Sequence, residues 1–163
     1  MGNPAKNIYP KIRWNIRVSN QLPRIAIIGS RGIPANYGGF ETFAEEIAIH
    51  LAKKFGYSVT VVCDADQRIT NANQAEHEGV KLLYSKYCKG GNAIKYYFNS
   101  IKLALADHDI IYSCGPAGGL FGPYVRARGA VMITNPDGLN GQRSKWSPPV
   151  QFAFRIFEWA ASR

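Results

Sequence analysis

RIAIIGSRGIPANYGGFET, from Arg24 to Thr42, joins three kinds of chain. The apolar run Ile25 to Ile28 predicts a buried strand. Gly29, Gly32, Gly38 and Gly39 then make a glycine-rich loop, and an amphipathic helix follows. Strand, glycine loop and helix are how α/β proteins hold phosphate: the backbone comes close and the helix start offers N–H groups. The spacing is neither G-x-G-x-x-G nor a P-loop ending in Gly-Lys-Ser/Thr. The passage is therefore a phosphate loop of another kind, or a connection whose glycines only make turns.

Outward from this passage, strands and helices alternate. The first helix is expected from Gly39 to Phe55, its buried stripe formed by Phe40, Phe43, Ala44, Ile47, Leu51 and Phe55. Glu41, Glu45 and Glu46 near its start and Lys53 and Lys54 near its end suit the helix dipole, and Gly56 reads as its cap. Further strands are expected at Ser58–Cys63, Val80–Tyr84, Asp109–Cys114 and Ala130–Thr134. A helix capped by Asn92 should run to Ala106 on Ile94, Tyr97, Phe98, Ile101 and Leu105. Asp64–Glu78 reads as a long loop with at most a helical turn. Gly115–Gly119 reads as a second glycine loop, leading to a short helix at Leu120–Ala127. The alternation predicts an α/β fold, a doubly wound, mainly parallel sheet. With strand order 3-2-1-4-5, the loops after strands one, four and five gather at the crevice where winding reverses.

At 163 residues, 46% of them hydrophobic, the chain has the length and core of one domain. Its net charge of +9 is spread along the chain. That suits a phosphorylated ligand or an anionic membrane face; no nucleic-acid module is recognisable. Cys63, Cys88 and Cys114 are an odd set without CxxC and read as reduced thiols. His50, His77 and His108 form no ligand-spaced cluster, so no metal is expected. Residues 1–22 are basic and have no continuous apolar core, which reads as a disordered arm rather than a signal peptide. Residues 23–148 form the domain proper, and 149–163 an apolar helix that needs cover on several sides.

Chemistry-bearing residues cluster on the predicted rim. Asp137, in Asn135-Pro136-Asp137-Gly138, can orient or deprotonate a sugar hydroxyl, or serve only its own turn. Arg143, Lys145 and Trp146 suit a pyrophosphate or a sugar ring, or form an exposed basic loop. Arg31 is placed to meet phosphate. Glu41 either hydrogen-bonds the loop or a sugar, or favours the helix dipole.

IAIIGSRGIPANYGGFETFAEEIA, with NPDGL and RSKWS downstream, resembles the N-terminal domain of bacterial family 4 glycosyltransferases of the rhamnosyltransferase type. The resemblance covers residues 23–163. It implies one half of a GT-B enzyme, two Rossmann-like domains facing across a cleft, with the C-terminal donor domain outside this chain. It implies retaining, metal-independent transfer of a sugar from a nucleotide sugar to a lipid-linked saccharide in cell-surface polysaccharide synthesis. The nucleotide sugar is a substrate, so no cofactor is implied. By the resemblance, Gly38 and Gly39 approach the donor diphosphate, which Arg31, from its place in the same loop, is expected to meet. Tyr37, Gly118, Arg143, Lys145 and Trp146 fall on the acceptor side, and Asp137 sits near the transferred sugar, where some family members carry His. Asn140-Gly141-Gln142 departs from the family's Glu-Trp-Lys. The expected location is cytoplasmic, peripheral to the inner face of the plasma membrane, and this half alone is expected to be inactive. The alternatives are a nucleotide- or dinucleotide-binding oxidoreductase domain, with Asp64 as ribose partner, and a non-catalytic partner module.

Overall fold

The computed structural model describes residues 22–36, 38–70, 73–136 and 147–161. β1 (Ile25–Ile28) is buried along its whole length, as a central parallel strand must be. Its alternation sorts the core into two layers. Ile25 and Ile27 face α1 (Gly39–Phe55), packing with Ala44, Ala48, Val61 and Val80. Ala26 and Ile28 face the other way, onto Tyr96, Tyr97, Ile101 and Ala104 of α3 (Ala93–Ala104).

The sheet also contains β2 (Val59–Cys63), β3 (Glu76–His77), β4 (Val80–Tyr84), β5 (Ile110–Cys114) and β6 (Val131–Asn135). Its order is β3-β4-β2-β1-β5-β6, all parallel except the β3–β4 pair. The five parallel strands have the order expected from sequence, so the fold is a doubly wound, Rossmann-like α/β sheet. Winding reverses between β1 and β5, where Ile28 pairs with Ser113. The caps also fall where expected. Gly56 closes α1 in the left-handed region at φ 71°. Asn92 opens α3, its side-chain oxygen accepting the Lys95 N–H at 3.0 Å.

Four expectations need correction. On α1, Phe40, Ala44, Ile47 and Leu51 of the expected stripe pack on the core, but its fully buried residues are Glu41, Ala44 and Ala48, while Phe43 and Phe55 are exposed. Small residues let the helix lie close to the sheet, and these two phenylalanines fall to its flanks. On α3, Tyr96 and Ser100 are buried while Ile94 and Phe98 are exposed; the inward face carries the two tyrosine hydroxyls described below. The segment read as a loop after β2 holds α2 (Ala65–Thr70) and β3. Asp64 caps α2 by accepting the Gln67 N–H at 3.0 Å, and Glu78 and Gly79, both at positive φ, make the tight turn into β4. The second glycine loop is a 3-10 helix, Pro116–Phe121, running into α4 (Gly122–Ala127). Pro116 fixes its first turn. α5 (Pro148–Ala161) packs on that 3-10 helix.

Candidate functional site

The loop leaving β1 is tied down from both layers. Tyr96, fully buried on α3, donates its hydroxyl to the Ser30 carbonyl at 2.6 Å, and the same oxygen lies 3.3 Å from the Gly29 N–H. The next residue, Tyr97, donates to the Cys114 carbonyl at 2.7 Å. Consecutive tyrosines thus hold the carboxyl ends of the two strands that flank the switch point. Gly29 is dictated by the same crowding: a β-carbon there would lie 2.3 Å from the Cys114 carbonyl oxygen.

From the other layer, α1 reaches back with two carboxylates one turn apart. Glu41 Oε1 accepts the Arg31 N–H at 2.8 Å, and Glu45 Oε2 accepts the Ala35 N–H at 3.0 Å. Glu45 Oε1 also meets His77 Nε2 at 2.7 Å, linking the loop to β3. From α2, Gln67 Nε2 donates to the Pro34 carbonyl at 2.9 Å. Glu41 is therefore a loop brace, the first of its expected roles, and is 7% exposed. The N–H groups of Arg31 and Ala35 are already engaged by these acids. Further on, the start of α1 offers helix N–H groups of its own. Its N-terminal boundary residue, Gly38 at φ 91°, has no side-chain cap, and Gly38 and Gly39 are both exposed. Nothing lies within 4 Å of a β-carbon built on Gly39.

Beside the loop is a cleft of about 320 Å³ lined by Arg31, Gly32, Asn36, Glu41, Asp64, Asp66 and Gln67. Asp64 lines it at the base, its carboxylate engaged by the Gln67 N–H at 3.0 Å and the Lys89 N–H at 3.4 Å, and the residue is 2% exposed. A second hollow, of about 310 Å³, follows the flank of α1 past Phe43, Ile47 and His50, away from the helix start. The cysteines are all free. Burial pushes the thiols of Cys63 and Cys114 up to about 12, so both remain protonated. Among the described residues there is no group of three or more potential metal ligands.

The structure brings Arg31, Gly38 and Gly39 together on the carboxyl side of β1. Gly118 is buried below this edge, and a β-carbon on it would meet Ser113 Oγ at 2.1 Å, so tight packing accounts for glycine there. β6 ends beside β5, with the Gly115 N–H donating to the Asn135 carbonyl at 2.8 Å. Tyr37, Asp137, Arg143, Lys145 and Trp146 lie outside the described residues, as does the arm up to residue 21. Sequence reasoning missed Tyr96 and Lys89. A tyrosine beside another in a helix shows no sign of which carbonyl it will meet, and Lys89 is one of many dispersed cations.

Fold and edge together define a Rossmann-like α/β domain whose glycine loop sits at the topological switch point. The family described as a domain of unknown function, DUF1972, matches residues 22–163, and the chain belongs to it. No curated protein matches the chain.

Proposed function

We propose that this chain is the acceptor-side half of a GT-B glycosyltransferase of the family 4, rhamnosyltransferase type. It would help move a sugar from a nucleotide sugar to a lipid-linked saccharide in cell-surface polysaccharide synthesis. One observation carries the reading. The chain leaves β1, β5 and β6 from one edge of the sheet, beside a braced glycine loop whose following helix has an uncapped start. Such a helix start stabilises a diphosphate through its N–H groups and dipole. The family is also one found in glycosyltransferase-associated proteins.

In this reading Gly38, Gly39 and Arg31 face the donor diphosphate. Asp137, two residues beyond the end of β6, sits near the transferred sugar. Tyr37, Arg143, Lys145 and Trp146 take the acceptor. Transfer is retaining and metal-independent, as the resemblance implies. The acceptor's lipid calls for a membrane surface. On α5, Phe152, Ile156 and Trp159 are exposed at helical spacing, with Arg155 among them. With a net charge of +9, that stripe suits peripheral binding to an anionic inner leaflet. Among the described residues no helix is long and apolar enough to cross a membrane. Against a dinucleotide-binding oxidoreductase stands Asp64, whose carboxylate is buried and engaged by backbone N–H groups.

The test is sugar transfer by the complete gene product, using labelled nucleotide sugars and lipid-linked saccharides. Asp137→Ala is expected to lower the rate at least about a hundredfold while the protein stays folded, as losing a positioned acid or base does. An unchanged rate removes that role, and absence of transfer to any lipid-linked acceptor removes the reading.

A further inference from the structure

The segment joining β4 to α3 carries a cation with no assigned work. The Lys89 ammonium stands 5.3 Å from the centre of the Phe40 ring, on the first turn of α1. Its own N–H reaches Asp64 at 3.4 Å, which ties the segment to the carboxyl end of β2. Lys89 is therefore held between the starts of α1 and α2, beside the cleft that Arg31 and Glu41 line.

Among the described residues the ammonium has no hydrogen-bond acceptor. The two carboxylates whose charge reaches it make no hydrogen bond to the ammonium: Glu41 Oε1 accepts the Arg31 N–H at 2.8 Å, and Asp64 accepts the Gln67 N–H at 3.0 Å and the Lys89 backbone N–H at 3.4 Å. Burial pushes its pKa below the ordinary lysine value, Glu41 and Asp64 work against that shift, and Arg31 adds to it. An ammonium partly withdrawn from water is costly unless something anionic meets it, and an aromatic face offsets only part of that cost. Its three N–H donors and the aromatic floor leave an anion as the missing partner.

We propose that Lys89 binds a phosphate group of the ligand, so that the edge holds two anion positions: the start of α1 with Arg31, and the Lys89 ammonium above Phe40. This rests on the transferase reading for its ligand class, a diphosphate ester. A nucleotide sugar and a lipid-linked saccharide share that chemistry, and the two sources separate by experiment.

Calorimetric titration of the 163-residue chain uses three probes: inorganic pyrophosphate, uridine diphosphate and farnesyl diphosphate. Lys89→Met is expected to weaken pyrophosphate binding about tenfold or more, the scale of one lost charge-assisted contact. Lys89→Gln is expected to do the same. Lys89→Arg should stay within about threefold and the exposed neighbour Lys86→Met should change nothing, since the requirement is a cation at one position. A loss confined to uridine diphosphate among the esters assigns the position to the donor, and one confined to farnesyl diphosphate assigns it to the acceptor. Wild-type affinity in folded Lys89→Met and Lys89→Gln overturns the proposal, as does absence of binding to all three probes by the parent chain. Lys89-dependent pyrophosphate binding without sugar transfer by the complete protein would sink the transferase reading and leave this site standing.

Discussion

At Gly29 the backbone runs at φ +87°, and a side chain would strike the carbonyl of Cys114. Gly39 has neither constraint, since it opens a helix with nothing within 4 Å of an added β-carbon. The two glycines look alike in sequence and differ in what they do. Gly29→Ala is expected to destabilise by about 3 kcal/mol or more, or to prevent folding, through a steric clash and a strained backbone. Gly39→Ala should leave stability within about 1 kcal/mol and, in the same preparation, weaken diphosphate binding by crowding the approach to the helix start. Urea unfolding of both variants separates the roles, and a large loss in Gly39→Ala would put it with the structural glycines. Sequence could supply the glycines but not this division, because the division depends on how near β5 comes to β1. The carboxylate of Glu41 was similarly ambiguous. Its place in the first turn suits the helix dipole, yet its buried oxygen serves the Arg31 N–H.

α3 shows how far pattern reading goes for an element. Its cap, length and place in the chain were legible, since Asn92 and the apolar spacing are local signals. Its inward face was not. Tyr96 looks polar, and it is buried because its hydroxyl meets the Ser30 carbonyl. Tyr96→Phe is expected to cost about 1–3 kcal/mol in urea unfolding, because it strips a buried partner from that carbonyl. A cost near zero would mean the loop does not depend on this anchor. The turn after α3 holds a second buried polar group, His108. It donates from Nδ1 to the Ala104 carbonyl at 2.9 Å and accepts at Nε2 from Thr60 Oγ1 at 2.7 Å. Burial lowers its pKa below the ordinary 6.5, so the folded chain favours the neutral ring. The unfolded chain takes up the proton first as pH falls. The contribution of His108 to stability is therefore full above about 6.5 and declines below it. Unfolding measured between about pH 5.5 and 7.5 should show that decline, and His108→Gln should flatten it. An unchanged slope in the variant would exclude His108 as its source.

For the molecule as a whole, the order of the parallel strands follows from alternation and short connections, and it was legible. The edge hairpin at Glu76–His77 was not, since two residues carry no period; its turn is made by Glu78 and Gly79, both at positive φ. That the chain leaves β1, β5 and β6 from one edge is a consequence of topology, and it matters more than any single motif. The other whole-molecule feature is exposed apolar surface on α5. Phe152, Ile156 and Trp159 are 66%, 42% and 61% exposed. Replacing Phe152 and Trp159 with serine should lower flotation with anionic vesicles while leaving stability nearly unchanged, because these side chains bury little area within the chain. Equal flotation by the variant would remove the membrane role of this helix.

The claim that a diphosphate ligand lies across the carboxyl ends of β1 and its neighbours is tested most directly by amide NMR of the isotope-labelled chain, titrated with a nucleoside diphosphate sugar. The account predicts saturable shifts at Arg31, Gly38 and Gly39 and at Lys89, with the amino ends of the strands, such as Ile25 and Val59, unmoved. Shifts confined to the flank of α1 at Ile47 and His50, or no shifts at millimolar ligand, would contradict it.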